Sequence, residues 1–337
     1  MNSTPTRLGL IGAGRWAREA HLPSLDGEPM ELSVVARSNS GQHEDLGFER
    51  VVEHWREVAQ APDVDAVLVC SPPRTHAEIV RACLVAGKHV YCESPLALTA
   101  TEANSLTTLA GERARIVAYG RPRPWIRHGD GVAGLLADGL LGEVSRASLT
   151  CRGNEWLRSD IRESWLMRQE SGPPALAGLV VGMTCGLLGE VEKACGVIER
   201  SDPTQEDRAP DRLNGLLRMR SGVLVTVDAG WSTAPPSLAG LHLYGSRGTL
   251  VWEWCEPFRV LLSVLDHRPW RPLDLPEQPL SQAWTATRDF VRAIRAGINT
   301  DGFQRAVHEL DVVEALTLAN ESETWVAVPD RTKSSSS

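Results

Sequence analysis

Residues 8–22, LGLIGAGRWAREAHL, constrain the fold more than any other stretch: an apolar run, then Gly12-Ala13-Gly14-Arg15-Trp16-Ala17, then residues able to continue as a helix. The order is strand, tight turn, helix. Gly12 reverses the chain without a Cβ clash, Gly14 lets the main chain approach an anion closely, and Ala17 stands where helix must pack on strand. The N–H groups exposed at that helix start suit a diphosphate, which makes Gly12 and Gly14 candidate contacts for a dinucleotide. A glycine-rich turn before a helix is common in itself. Its place here, after an N-terminal strand in a chain that goes on alternating strand and helix, weighs against a turn that binds nothing.

The alternation is explicit. Residues 31–36 (ELSVVA) form a second strand that ends in Arg37-Ser38-Asn39-Ser40. An acidic side chain at this strand end, about 20 residues past the glycines, would bind a ribose 2′-hydroxyl. Arg37 and Ser38 stand there instead and suit a 2′-phosphate, favouring NADP over NAD, unless Arg37 is only a solvated loop residue. Residues 64–70 (VDAVLVC) read as a strand buried on both faces, as in a parallel sheet. Ser71-Pro72-Pro73-Arg74-Thr75-His76 follow, then a helix with Ile79, Val80, Cys83 and Leu84 on one face. That loop lies at the carboxyl edge of the sheet, where open α/β folds bind ligands. A strand begins at His89, Thr99 and Glu102 form a T-x-x-E helix start, and residues 116–119 return as a strand.

The pattern changes at Arg121-Pro122-Arg123-Pro124-Trp125, which fits neither helix nor central strand. A Rossmann domain over residues 1–120 and a second domain over 121–330 follow from this, with a polar tail at 331–337. In the second domain residues 131–138 and 176–188 read as helices and 144–151 as a strand. Strands at 191–198, 213–220, 223–230, 241–245, 248–254 and 259–265 then succeed one another without helices between them. The expected fold is therefore α/β plus α+β: a doubly wound parallel sheet, then an open-faced, mostly antiparallel sheet with helices on one face. Helices return at 282–296 and 304–322.

Composition narrows the classes. The 337 residues exceed one ordinary core, and 42% hydrophobic with 23% charged residues describe a soluble globular protein. A net charge of -8 argues against nucleic acid as the main partner. No apolar run approaches the ~20 residues of a membrane span, and MNSTPTR lacks the apolar centre of a signal peptide, so a cytoplasmic location without membrane attachment is expected. Seven cysteines, an odd number without a CxxC pair, suggest free thiols and no metal site. Arg121, Arg123, Arg127, His128, Arg152, Arg158, Arg162 and Arg168, with Trp156 and Trp165 among them, form either a solvated face or a receptor for an anionic substrate group.

The order of these pieces resembles the glucose-fructose oxidoreductase and inositol dehydrogenase family (Gfo/Idh/MocA). GLIGAGRWAREAHLP, SPPRTHAEIVRACLVAGKHVYCESPLALTATEA, ADGLLGEV, LHLYGSRGTLVWE and VVEALTLANESETW carry the resemblance over nearly the whole chain. It implies hydride transfer between a nicotinamide cofactor and, usually, a sugar or polyol carbon, and homo-oligomers formed side by side through the second sheet. It also implies that Gly12, Gly14 and Arg15 touch the diphosphate, Arg37 and Ser38 the adenosine end, Ser71 and Pro72 the central ribose, and Glu93 the nicotinamide ribose. Trp16, Arg74 and His76 complete the expected cofactor set.

The chain departs from the family where protons are handled. The family's Glu-Lys-Pro reads Glu93-Ser94-Pro95 here, and its Asp-x-Gly-x-His stretch reads Gly178, Val180 and Gly182. No histidine lies between His128 and His242, so the loss survives a small slip in alignment. Losing a positioned acid or base costs about 10²–10⁴-fold. Ser94, Tyr119 and Arg121 are the remaining catalytic candidates: two hydroxyls, and a cation able to bind a carboxylate or an oxyanion. The expected function is an NADP(H)-dependent reductase of an imine, enone or carbonyl small molecule. The alternative is a non-hydride protein of the same architecture: a cyclase, isomerase, dehydratase or sensor.

Overall fold

The computed structural model describes residues 4–36, 46–120, 128–153, 168, 172–231, 238–255, 259–264, 270–275, 285–298 and 302–331. Two compact units emerge, residues 1–121 with 279–307, and residues 122–278 with 308–337. The chain thus returns to its first unit, whereas the sequence reading places residues 121–330 in the second.

In the first unit, β1 (Thr6–Ile11) leads through the glycine turn into α1, a π-helical turn Ala17–His21 continuing as Leu22–Ser24. Next come β2 (Met30–Ala36), β3 (Arg50–Val52), α2 (Trp55–Gln60), β4 (Ala66–Val69), α3 (His76–Val85), β5 (His89–Cys92), α4 (Ala100–Glu112) and β6 (Val117–Tyr119). The sheet order is β3-β2-β1-β4-β5-β6 and every neighbouring pair is parallel. This is the Rossmann order, with its reversal point between β1 and β4. All four residues of β4 are buried, as a strand covered on both faces requires. The N-cap at Thr99 forms as expected, its hydroxyl accepting from the Glu102 amide.

The second unit begins with α5 (Gly129–Ala137), β7 (Val144–Arg152) and α6 (Gly172–Leu188). Its strands continue as β8 (Val191–Glu199), β9 (Arg212–Met219), β10 (Leu224–Gly230), β11 (Leu238–Gly245), β12 (Gly248–Glu253), β13 (Arg259–Val264) and β14 (Arg271–Pro272). Helix α7 (Thr285–Ala296) belongs to the first unit, α8 (Gly302–Ser322) divides between the two, and β15 (Val326–Ala327) returns to the second. The nine strands run β14-β13-β12-β11-β7-β10-β9-β8-β15, and only β10 with β7 is parallel. The expected mostly antiparallel sheet is present. Its core includes Leu149, Val180, Leu217, Val225, Leu241 and Trp252.

Helix α7 joins the first unit because it has an apolar face to bury. Phe290 and Val291 are fully buried among Leu8, Leu10, Leu68 and Tyr91, and the Phe290 and Tyr91 rings lie 6.1 Å apart. Burying a side chain of this size contributes roughly 1.5–3 kcal/mol. An exposed Arg292 pairs with Glu28 at 2.6 Å at the edge of this contact.

Candidate nicotinamide-cofactor site

Main-chain bonds hold the loops leaving four strands at one edge of the parallel sheet. Cys70 N–H donates to Ile11 O (2.8 Å), Glu93 N–H to Val69 O (2.9 Å) and Gly120 N–H to Cys92 O (2.8 Å). This is the carboxyl edge, where ligands bind in such sheets.

The loop after β1 is built from main chain. Gly12 has φ +97°, and a Cβ there would stand 2.4 Å from the Cys70 carbonyl carbon and the Ser71 nitrogen. The turns after β1 and β4 therefore pack backbone to backbone. Two residues later a Cβ on Gly14 would meet nothing within 4 Å. The first helical main-chain bond runs from Arg18 N–H to Gly14 O, so the helix ladder uses none of the amides before it. Open space beside a helix start is a cradle that fits a diphosphate. Arg15 and Trp16 flank it, both exposed, with Arg15 paired to Glu19 at 2.9 Å.

The loop after β4 is locked by side chains. The Ser71 and Thr75 hydroxyls lie 2.8 Å apart, and Thr75 donates to Pro72 O at 2.7 Å. His76 is 1% exposed, and its ring nitrogens lie 2.7 Å from Pro95 O and 2.6 Å from Ser71 O. It ties the Ser71 turn to the Ser94-Pro95 turn and presents no nitrogen to the crevice. Burial pulls its pKa below the ordinary value, against the pull of the two carbonyls. Arg74 is exposed.

The loop after β5 carries the charge. Glu93 has a side chain only 15% exposed, and His21 Nε2, fully buried, lies 3.2 Å from its Oε1. The Tyr91 hydroxyl donates to the same oxygen at 2.9 Å. His21 Nδ1 lies 2.7 Å from the Thr287 hydroxyl of α7, across 266 positions of sequence, and its ring meets Tyr91 edge to face at 5.1 Å. A Cβ on Gly120 would lie 2.3 Å from Glu93 Oε1, so only glycine leaves this carboxylate its place. Burial opposes the charge on His21, but Cys70 and Glu93 outweigh it and raise the pKa to about 10. Burial first, then the charge of Glu93, push the Tyr91 phenol well above its usual range, which keeps it a neutral donor.

Ser94 and Tyr119, two of the three catalytic candidates, meet: their hydroxyl oxygens lie 2.9 Å apart, half-buried, with Tyr119 8% exposed. Arg121 and the adenosine-end candidates Arg37 and Ser38 lie outside the described residues. Gly178 and Gly182 are buried one turn apart on α6. Sequence reasoning missed His21, Tyr91, Gly120 and Thr287. His21 was visible within the opening stretch as a polar residue on a helix start, but nothing local pairs it with Glu93. All seven cysteines are free, and among the described residues no cluster of His, Cys, Asp or Glu could hold a metal. Among those residues, too, no helix is long and apolar enough to cross a membrane.

The sheet order, the glycine turn and the ligand edge together define a dinucleotide-binding Rossmann unit joined to a second, mostly antiparallel sheet unit. Residues 6–121 match the GFO/IDH/MocA family, described as an oxidoreductase family with an NAD-binding Rossmann fold, and residues 131–251 match the GFO/IDH/MocA C-terminal domain. The chain is 31% identical to myo-inositol 2-dehydrogenase of Thermotoga maritima over 76% of this chain and 78% of that one. It is 28% identical to dTDP-3,4-didehydro-2,6-dideoxy-alpha-D-glucose 3-reductase of Saccharopolyspora spinosa over 88% and 90% of the two chains. The fold also matches levoglucosan dehydrogenase in complex with NADH and levoglucosan, with a TM-score of 0.87 over 97% of this chain and 100% of that one, at 19% identity. The protein belongs to the GFO/IDH/MocA oxidoreductase family.

Proposed function

We propose that the protein is an NADP(H)-dependent reductase of a small carbonyl, imine or enone compound, using a hydroxyl pair where the family uses lysine and histidine. The observation that carries this is the 2.9 Å contact between Ser94 and Tyr119 at the carboxyl edge of the sheet, the same edge at which the cradle at Gly14 opens. The resemblance read from the sequence implies a lysine at position 94 and a proton-handling pair at Gly178 and Gly182, which supports Ser94 and Tyr119 as the groups that handle the proton here. The relatives' names favour a carbonyl on a sugar-like skeleton.

Gly12 and Gly14 hold the diphosphate against the helix start, with Arg15 and Trp16 at its flank, while Ser71 and Pro72 line the central ribose and Glu93 the nicotinamide ribose. Arg74 stands at the rim. Arg37 and Ser38, with no acidic residue at that strand end, take the 2′-phosphate. A bound NADPH would supply a hydride, two electrons in all, to the substrate. The proton that completes the reduction reaches the substrate oxygen or nitrogen from the Ser94–Tyr119 pair, which water then reprotonates. Arg121 steadies an anionic substrate group. Seven free thiols suit the reducing cytoplasm, and exposed Val197 and Tyr244 on the second sheet support homo-oligomers formed through it.

The test is turnover of 4-deuterated NADPH with nucleotide-linked keto sugars, keto polyols, imines and enones, read as deuterium in the product. Tyr119→Phe should lower kcat by about 10²–10⁴-fold with cofactor affinity retained. Absence of heat on titration with oxidised and reduced dinucleotides, or full activity of Tyr119→Phe, overturns the reading.

A further inference from the structure

Resting on the nicotinamide reading above, we propose that His21 is a positioning residue that neutralises Glu93 and thereby sets how strongly the crevice prefers oxidised over reduced nicotinamide dinucleotide. Glu93 stands at the carboxyl end of β5 with most of its side chain out of water, and its neighbour Tyr91 offers only a neutral hydroxyl. A buried carboxylate there would discriminate between the two cofactor states, because the oxidised nicotinamide ring carries a positive charge and the reduced ring carries none. In a site of low effective dielectric such a difference is worth a large factor in affinity. Protonated, His21 would put a cation 3.2 Å from that carboxylate and remove most of the bias.

The placement of His21 is specific to this task. Its ring has no exposure. It is the last residue of the π-helical turn Ala17–His21, and turns of this kind recur at functional sites. Helix α7 supplies Thr287 to take the other ring nitrogen, which fixes the direction of the imidazole. Facing it are Glu93 and Tyr91 from β5, Cys70 from the end of β4 and Thr287 from α7. With a pKa of about 10 the ring keeps its charge through the neutral range.

The experiment is calorimetric titration of the full chain with NADP+ and NADPH at pH 8.5, for wild type, His21→Gln, Glu93→Gln and the double variant. In His21→Gln the ratio of the NADPH Kd to the NADP+ Kd should rise about tenfold, since an uncompensated carboxylate favours the cationic ring. Glu93→Gln should shift the ratio the opposite way, and the double variant should return to within about twofold of wild type. A purely structural role for His21 weakens both forms alike, and an unchanged ratio overturns the proposal while leaving the cofactor reading intact. A wild type that binds neither form overturns both. If His21→Gln fails to fold, ring ¹⁵N shifts in the wild type, assigned through contact with Tyr91, decide the matter. Two protonated nitrogens at pH 8 support the proposal, and a neutral ring there overturns it.

Discussion

The ends of β1 and β5 lie at the same edge of one sheet and are built in opposite ways. The β1 end is main chain: Gly12 presses against the backbone of Cys70 and Ser71, and Gly14 opens onto empty space. The β5 end is side chain: Glu93 sits among His21, Tyr91 and the space that Gly120 vacates. On the cofactor reading proposed above, the difference follows from what each end would hold. A diphosphate carries fixed charge and would be met by amides that never change state, whereas the reacting end of a nicotinamide changes charge and would need groups whose own charge is set by their neighbours.

Three substitutions sharpen or break this contrast. Gly12→Ala should have the largest effect, because the new Cβ meets backbone 2.4 Å away at a φ of +97°. Strain of about 1–3 kcal/mol should appear in chemical denaturation, and cofactor affinity should fall at least about 100-fold. Wild-type affinity in this variant would show that the turn does not hold the diphosphate.

Gly120→Ala comes next. Its Cβ meets a side-chain oxygen that can move, so stability should drop by about 1 kcal/mol or less while turnover falls roughly tenfold. The check is kcat beside the denaturation midpoint; unaltered kcat would mean that the position of Glu93 is immaterial. Gly14→Ala should disturb the fold least, by about 0.5 kcal/mol or less, since no protein atom lies within 4 Å of its Cβ. It should still weaken the dinucleotide about tenfold by filling the cradle. Equal affinities for Gly14→Ala and wild type would place the diphosphate elsewhere.

Much of the scaffold was legible beforehand. Continuous apolar runs such as AVLV in β4 fall in the parallel sheet, and the run of strand segments without helices between them matches β8 to β13 within one to three residues. The short β3 and α2 were not read, because three- and six-residue elements carry little periodicity. Helix α7 was read as a helix but placed with the wrong unit, because an apolar face states that it must be buried and not against what. The Ser94–Tyr119 meeting was half legible: both residues were candidates at adjacent strand ends, and the parallel register brought their hydroxyls together.

By itself, the sequence determined the local grammar of this protein: a glycine turn after an apolar strand, strands buried on two faces in one half and on one face in the other, and the identity of the residues at each strand end. Those depend on spacing within a few residues, which the chain carries openly. Only the tertiary structure decided that His21 faces Glu93, that Thr287 completes the pair from 266 positions away, and that Gly120 leaves room for the carboxylate. Contacts of that kind are fixed by how sheet and helices pack, and charge acts through space rather than along the chain.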